Sequence, residues 1–305
     1  MRMQESATNA EEPMIVKYVV KSRTGIETTT LSRYAIGYVL HGTQYIYDGD
    51  KRRRVCRGEM VYLGIGRHYI ESIPDAQQPF EQILFYYTQA DLQRVLAHLN
   101  VTYRLKITNS HTCENCRNSS LVVSAAPTVL RTFFRNTDNY LKECNFHRDE
   151  TAENIKMTEL IYLIASQEDG CIKNRVLCSV DSVQEIFEQV IYDHVFKPVP
   201  IEVLAEKTHR SLTSFKKEFR RHFRIPPHKW YVQQRLRHSR LLLISTTKSI
   251  SEIGNECTFP NTSHYIKLFK RAYHMTPAAY RQQHPRLLET TAEAELEAAV
   301  MQYAE

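Results

Sequence analysis

The chain has 305 residues, of which 42% are hydrophobic and 18 are tyrosine, so it is long enough for two folded domains and is not a disordered protein. Its net charge of +6 is unevenly distributed. Residues 197–286 carry 18 Lys/Arg and five Asp/Glu, a net +13, and the rest of the chain carries a net −7. A basic segment on an acidic body indicates nucleic acid as the partner of that segment.

Several protein classes are disfavoured by the same composition. Residues 1–12 are polar and lack the apolar region of a signal peptide, and we expect them to be a disordered tail. No apolar run approaches the roughly 18 residues of a membrane span, so no membrane partner is predicted. Seven cysteines are an odd number in a chain of this size, which argues against a disulfide framework. These features favour a cytoplasmic protein.

Residues 13–108 are predicted to form an antiparallel β barrel. Short stretches rich in aromatic and β-branched residues recur between Tyr34 and Tyr87 at intervals of about ten residues, and Gly, Asp and Pro separate them. Strands of this length and spacing are typical of small barrels and sandwiches. The sequence therefore predicts an α+β protein whose N-terminal part is a β domain with helices.

Residues 109–180 are predicted to be a helical connector that ends in a linker. Apolar residues at helical spacing predict helices at 127–143 and 152–166, with Val129 and Ile155 facing inward. The polar stretch 166–182 is the predicted linker. The connector helices are also the candidate dimerisation region.

A duplicated pattern dominates residues 181–286. Phe219-Arg220-Arg221 opens a pattern of aromatic, basic, apolar and proline positions that ends at Trp230, and Phe269-Lys270-Arg271 opens the same pattern 50 positions later. A period of this length indicates a duplicated supersecondary unit. Each copy predicts a short helix, a tight turn and a second helix with Lys and Arg side chains on its outer face. The sequence thus predicts an all-α domain with two helix-turn-helix motifs.

The residue types on the two second helices divide into three predicted roles. Lysine, serine, threonine and an apolar side chain near the start of such a helix can contact the edges of DNA bases. Lys and Arg side chains further along the helix contact phosphate more often. The candidates for base readout are Thr213, Lys216, Lys217, Thr262, Ser263, Ile266 and Lys267. The candidates for phosphate contact are Arg220, Arg221, Lys270 and Arg271. The predicted core of the motifs is Leu204, Ala205, Phe215, Phe219, Trp230, Leu236, Ile253, Phe259, Phe269 and Pro277. The alternative is that these Lys and Arg side chains only form a solvated helix face and contact no DNA.

About 100 residues of this region resemble the DNA-binding domain of AraC/XylS-family transcription regulators. The residues that carry the resemblance are Leu204-Ala205, Ser211, Phe215, Phe219, Pro227, Arg235-Leu236, Leu242-Leu243, Ile250, Ile253, Phe259, Ser263, Phe269-Lys270, Thr276-Pro277 and Tyr280-Arg281. The resemblance implies a homeodomain-like fold, double-stranded DNA as partner, two recognition helices in successive major grooves, and RNA polymerase as a partner at promoters. Glycines common in the family are replaced by Arg224, Thr258 and His274, which leaves the shapes of those turns open.

The N-terminal β domain resembles, more weakly, the cupin-like barrel that such regulators often carry. The resemblance implies a small-molecule effector or a homodimer. Tyr38, Tyr45, Tyr47, Tyr62 and Tyr69 are the candidate pocket residues, with simple core packing as the alternative. Because no cluster of His and Glu metal ligands is evident, we expect neither an enzyme nor a cofactor.

One pair of cysteines has metal-ligand spacing. Cys113 and Cys116 form a single Cys-x-x-Cys with His111 nearby, whereas a structural zinc site needs four ligands. We therefore expect ordinary thiols and no metal, unless Cys144 or another distant residue joins them.

The function that the sequence predicts is a sequence-specific DNA-binding transcription regulator. Its N-terminal domain would serve effector sensing or dimerisation. The alternative is a ligand-binding or protein-interaction regulator whose basic domain mainly recruits a protein partner. Residues 287–305 hold five Glu and no base and are predicted to be a peripheral acidic tail.

Overall fold

The computed structural model describes residues 13–48, 51–105, 107–109, 111, 113, 116, 119–143, 149–168, 170–179 and 182–284. Both predicted tails lie outside this part of the chain, as does Cys144. In the residues that the structure describes, no helix has the length and apolar character needed to cross a membrane.

Nine strands build two antiparallel sheets that stack face to face. The strands are β1 (Ile15–Val20), β2 (Glu27–Leu31), β3 (Tyr34–His41), β4 (Thr43–Asp48), β5 (Lys51–Cys56), β6 (Glu59–Leu63), β7 (Gly66–Ile73), β8 (Phe80–Tyr87) and β9 (Leu121–Ala125). The first sheet has the order β1-β8-β3-β6-β9 and the second β2-β7-β4-β5. Alternate side chains of β3, β6 and β8 point between the sheets, where Val39, Val61 and Phe80 are fully buried with Ile46 and Val55 of the second sheet.

The predicted fold class is confirmed, but the β domain is larger than the sequence indicated. Strands β1, β2 and β9 were not predicted. Strand β9 pairs with β6, Leu121 lying opposite Leu63, although it follows the predicted end of the domain at residue 108 by more than a dozen positions. The sheet therefore extends into the segment predicted as a helical connector.

Eleven helices of four residues or more are described. They are α1 (Gln89–Tyr103), α2 (Thr128–Glu143), α3 (Glu150–Ala165), α4 (Cys171–Cys178), α5 (Ser182–Asp193), α6 (Ile201–Lys207), α7 (Leu212–Phe223), α8 (Pro227–Ser245), α9 (Ile250–Glu256), α10 (Thr262–Tyr273) and α11 (Pro277–Gln283). Helices α1 to α4 cover the outer face of the first sheet and bury Phe133, Phe134 and Ile161 against it.

Two expectations for the connector are corrected by the structure. The predicted linker at 166–182 contains helix α4, because Ile172 and Val176 supply an apolar face that packs on the first sheet. Val129 and Ile155, predicted to face inward, are exposed, and Ile155 retains 62% of its accessible surface.

The five tyrosines proposed for a pocket pack in separate places. Tyr38 stacks on Phe134 and Tyr62 on Tyr34, both within the core beneath the helices. Tyr47 donates a 2.9 Å hydrogen bond to the carboxylate of Glu71. The guanidinium of Arg52 lies over the ring of Tyr45, and Tyr69 faces the C-terminal helices. Tyr38 and Tyr62 therefore follow the core-packing alternative, and the other three make separate contacts at half-buried positions rather than a shared cavity.

Strand β7 is where the β domain meets the C-terminal helices. The guanidinium of Arg67 lies 4.0 Å from the centre of the Phe196 ring. Gly66 has a φ of +127°, and a Cβ at this position would lie 2.9 Å from the ring of Tyr192 in α5. Glycine therefore permits both the backbone conformation and the close approach of the helix.

Candidate nucleic-acid interface

The sequence duplication is also a structural duplication. Helices α6 and α7 form the first helix-turn-helix motif, and α9 and α10 form the second. Helices α7 and α10 each have 12 residues and begin and end 50 positions apart. A proline at Pro227 or Pro277 starts the helix that follows each motif.

The turns keep the backbone shape that glycine would favour, although glycine is absent. Arg224 and His274 end α7 and α10 in the left-handed conformation, with φ of +65° and +62°. Thr258 has a φ of +57° in the turn of the second motif, and His209 has +53° in the first. These turns therefore adopt the left-handed conformation without glycine, at a conformational cost of order 1 kcal/mol for each residue with a Cβ.

Side-chain caps fix where the second helix of each motif begins. The hydroxyl of Ser211 accepts a 3.2 Å hydrogen bond from the backbone N–H of Ser214. Asn261 does the same for His264, at 2.8 Å. Each cap satisfies one of the free N–H groups of the first turn, so the exposed start of each helix is defined by its own sequence.

Aromatic pairs four residues apart anchor the second helices. Phe215 and Phe219 of α7 pack against Phe187, and the ring of Phe219 lies 5.7 Å from that of Trp230. Tyr265 and Phe269 are the equivalent buried residues of α10. All ten predicted core residues are buried: Leu204, Ala205, Phe215, Phe219, Trp230, Leu236, Ile253, Phe259, Phe269 and Pro277.

Burial of one face leaves the opposite face of each helix to solvent. Five of the seven candidate base-contacting side chains are exposed, whereas Thr262 and Ile266 are half-buried. The Thr262 hydroxyl lies 3.1 Å from that of Ser251 in α9. The four candidate phosphate contacts are all exposed, and Arg221 pairs with Glu218 one turn earlier. The structure thus brings the candidates together as two separate polar surfaces, one on α7 and one on α10.

Arg235 of helix α8 ties the two motifs together, a role that sequence reasoning missed. Its guanidinium donates to the carbonyl oxygens of Val195 at 2.9 Å and Lys197 at 3.4 Å, in the segment before the first motif. It also donates to the carbonyl of Thr258 at 3.3 Å, in the turn of the second motif. One side chain therefore contacts the frame of both motifs. The planar fork of arginine suits it to bind several carbonyls at once.

Ser214 and His264 are further exposed residues that the sequence analysis did not select. They hold equivalent positions, 50 apart, on the first turn of α7 and of α10. The offset of 50 that linked Phe219 to Phe269 could have found them. Both lie on the side of the helix that the core leaves uncovered.

This fold and these surfaces define a double helix-turn-helix DNA-binding protein. A family model described as "Helix-turn-helix domain" matches residues 204–283. The transcriptional activator AggR of Escherichia coli is 22% identical over 269 residues, which cover 87% of this chain and 95% of AggR. The xylose operon regulatory protein of Escherichia coli K12 is 32% identical over 91 residues, 30% of this chain and 23% of that protein.

Among solved structures, an apo variant of ToxT from Vibrio cholerae superposes with a TM-score of 0.48 and 11% identity, covering 88% of this chain and 97% of ToxT. Residues 204–283 therefore form a helix-turn-helix domain similar to those of AraC/XylS-family regulators, and the chain is a sequence-specific DNA-binding transcription regulator.

Proposed function

We propose that α7 and α10 are the recognition helices and that they bind two successive major grooves of one promoter site. The observation that carries this proposal is the repetition, at an interval of 50 residues, of a 12-residue helix with one buried aromatic face and an opposite, largely exposed face. Helix α8 joins the two motifs, and its 19 residues span about 28 Å at 1.5 Å per residue. Successive major-groove sites on one face of B-DNA are about 34 Å apart.

In this proposal, the residues near the start of each recognition helix contact bases. Lys217 and Lys267 are equivalent, exposed, and able to donate to guanine O6 or N7. Thr213, Lys216, Thr262, Ser263 and Ile266 line the same stretches. Arg220, Arg221, Lys270 and Arg271 lie one turn further on and contact phosphate, where they set the position of the helix without reading the sequence.

The test is the salt dependence of duplex DNA binding by the full chain. Binding releases counterions, so the logarithm of the association constant should fall by about 0.9 per log unit of salt for each phosphate contacted. Fluorescence anisotropy with a labelled duplex measures this slope. Affinity that does not change between low and physiological salt would contradict the proposal and support the alternative in which the basic domain recruits a protein partner.

For the N-terminal domain, we propose that dimerisation involves helices α2 and α3. Ile155 and Tyr162 lie seven residues apart on one face of α3 and retain 62% and 44% of their accessible surface. The ammonium of Lys156 in α3 lies 4.7 Å from the centre of the Tyr140 ring in α2, so the two helices contact each other. Apolar side chains at helical spacing are the kind of surface that a second copy covers. A small-molecule effector and RNA polymerase are further proposed partners.

Sedimentation of the full chain separates dimerisation from effector sensing. We expect a concentration-dependent dimer that Ile155→Asp shifts towards monomer. Val101→Asp is the matched control, because Val101 is also exposed but lies on α1. A wild-type chain that stays monomeric at all concentrations would remove the dimer proposal and leave effector sensing as the role of the domain.

A further inference from the structure

Four thiol and imidazole groups converge beside the first sheet, away from the DNA-binding helices. His111, Cys113 and Cys116 come from the segment between α1 and β9, and Cys171 is the first residue of α4. Their ligand atoms all lie within 4.8 Å of one another. Cys171 is 55 positions from Cys116, so the cluster exists only because α4 packs next to this segment.

The spacing of these atoms matches tetrahedral zinc. With zinc about 2.3 Å from sulfur and about 2.0–2.1 Å from nitrogen, a tetrahedral angle places sulfur and nitrogen about 3.6 Å apart. The Sγ of Cys171 lies 3.5 Å from Nε2 of His111. The thiol of Cys116 donates to the carbonyl oxygen of Cys113 at 3.5 Å, and the sulfurs of Cys113 and Cys116 lie within 4.8 Å of each other. Two sulfurs of one Cys-x-x-Cys then face the same point, as structural zinc sites require.

The residues around the cluster are arranged to support bound thiolates. The side-chain N–H of Asn174 points at the sulfur of Cys116 from 3.2 Å. Asn174 is buried, and its carbonyl oxygen accepts a 2.8 Å hydrogen bond from Asn109, which fixes the orientation of the amide. Outer partners that orient or donate to ligands are typical of metal sites.

We propose that His111, Cys113, Cys116 and Cys171 bind one structural Zn²⁺ ion. Three cysteines and one histidine complete the tetrahedron and leave no open position, which is the arrangement of structural rather than catalytic zinc. The ion joins the segment before β9 to helix α4. The guanidinium of Arg175 in α4 lies 5.1 Å from the centre of the Tyr62 ring of β6, so the ion would link the segment before β9 to a helix that already packs on the sheet. The sequence alone did not point to this site, because Cys171 could not be placed beside Cys113 and Cys116 without the fold.

The experiment measures metal in the full-length chain purified under reducing conditions without chelator. We expect one zinc per chain by mass spectrometry of the metal. Replacing zinc with Co²⁺ should give the intense visible absorption of tetrahedral, thiolate-bound cobalt. Cys171→Ser should lose most of the zinc. Cys178→Ser is the matched control, because Cys178 is on the same helix, two turns away, and outside the cluster.

Cys171→His gives a second test, which remains valid even if Cys171→Ser fails to fold. It replaces one ligand with another, so zinc should remain at one per chain and the cobalt spectrum should shift towards higher energy as one sulfur ligand is lost. The proposal is overturned if the wild-type chain contains no zinc and takes up no cobalt. It is equally overturned if Cys171→Ser binds zinc as well as wild type with an unchanged cobalt spectrum, or if Cys113 and Cys116 are joined by a disulfide. None of these readouts uses DNA.

Discussion

The ring of Tyr69, on strand β7 of the N-terminal domain, stacks on the imidazole of His238 in helix α8, with centroids 5.5 Å apart and planes 28° apart. Phe196 contacts the same imidazole edge-on at 4.9 Å. His238 is almost completely buried between the two domains. Its Nε2 lies 4.0 Å from a carboxylate oxygen of Glu256.

Burial of His238 makes the stability of the chain depend on pH. Burial, with a smaller contribution from Arg67, lowers the pKa of His238 from 6.5 to about 4; Glu256 raises it, and Lys248 lowers it. Below pH 6.5 the unfolded chain binds a proton that the folded chain does not. Stability from this group is therefore present above pH 6.5 and falls as the pH drops to 4, by up to about 3 kcal/mol.

The measurement is urea unfolding of the full chain at several pH values. His238→Gln should flatten the decrease between pH 6.5 and 4, whereas His228→Gln, in the exposed first turn of the same helix, should leave it unchanged. Equal pH profiles for wild type and His238→Gln would show that this histidine does not carry the effect.

Removing a buried aromatic anchor should destabilise the corresponding motif. Phe219 and Phe269 have no accessible surface, so replacing either with Ala should cost about 3–5 kcal/mol. Phe223→Ala, at a half-buried position, should cost less. The chain has one tryptophan, Trp230, and its fluorescence reports unfolding of the first motif directly. A normal urea midpoint for Phe219→Ala would mean that the ring does not hold the motif.

Replacing Arg235 with Ala should loosen the spacing between the two motifs. The lost hydrogen bonds should cost about 1–3 kcal/mol of stability. Binding to the full DNA site should weaken by about tenfold or more, a cost of at least about 1.4 kcal/mol. Inserting one base pair between the half-sites should weaken DNA binding by Arg235→Ala less than it weakens DNA binding by the wild-type chain. Lys229→Ala, in the exposed first turn of the same helix, is the control and should keep the wild-type spacing preference. The same preference in Arg235→Ala would show that α8 alone sets the spacing.

Binding isotherms on a preferred DNA site and on its single-base variants should distinguish side chains that contact bases from side chains that contact phosphate. Lys217→Ala or Lys267→Ala should cost about 1–3 kcal/mol and relax preference at one or two base positions. Arg221→Ala or Lys270→Ala should weaken all sequences about equally and lower the salt slope by about one. If the first two variants weaken every duplex uniformly, those lysines contact phosphate.

The helical domain was predictable because its signals are local. The interval of 50 residues, the aromatic pairs at i and i+4, and Pro227 and Pro277 place α7 and α10 without knowledge of any distant contact. No pattern in the sequence explains Gly254. In the structure a Cβ at this position would lie 3.1 Å from the ring of Tyr265, so the absence of a side chain allows the tyrosine to pack there. The first motif has Ala205 and Phe215 in the corresponding places.

The parts that sequence reasoning missed depend on contacts between distant segments. Strand β1 pairs with β8, so that Ile15 lies opposite Phe85, and no local pattern fixes that register. Helix α4 is short and has three polar residues in a row, Lys173, Asn174 and Arg175, which resemble a linker in sequence although all three are buried. The fourth member of the thiol cluster was missed for the same reason.

Arg67 and Tyr69 lie on one face of β7, two residues apart, and both touch the helical domain near its midpoint. Arg67 meets Phe196 just before the first motif, and Tyr69 meets His238 in the helix that the two motifs share. A displacement of β7 would therefore act on the segment before the first motif and on the helix between the motifs together, and through them on both of the helices that we propose as recognition helices. Occupancy of the promoter should then rise or fall for both half-sites at once, as an all-or-none response, and a state with one half-site released should be rare.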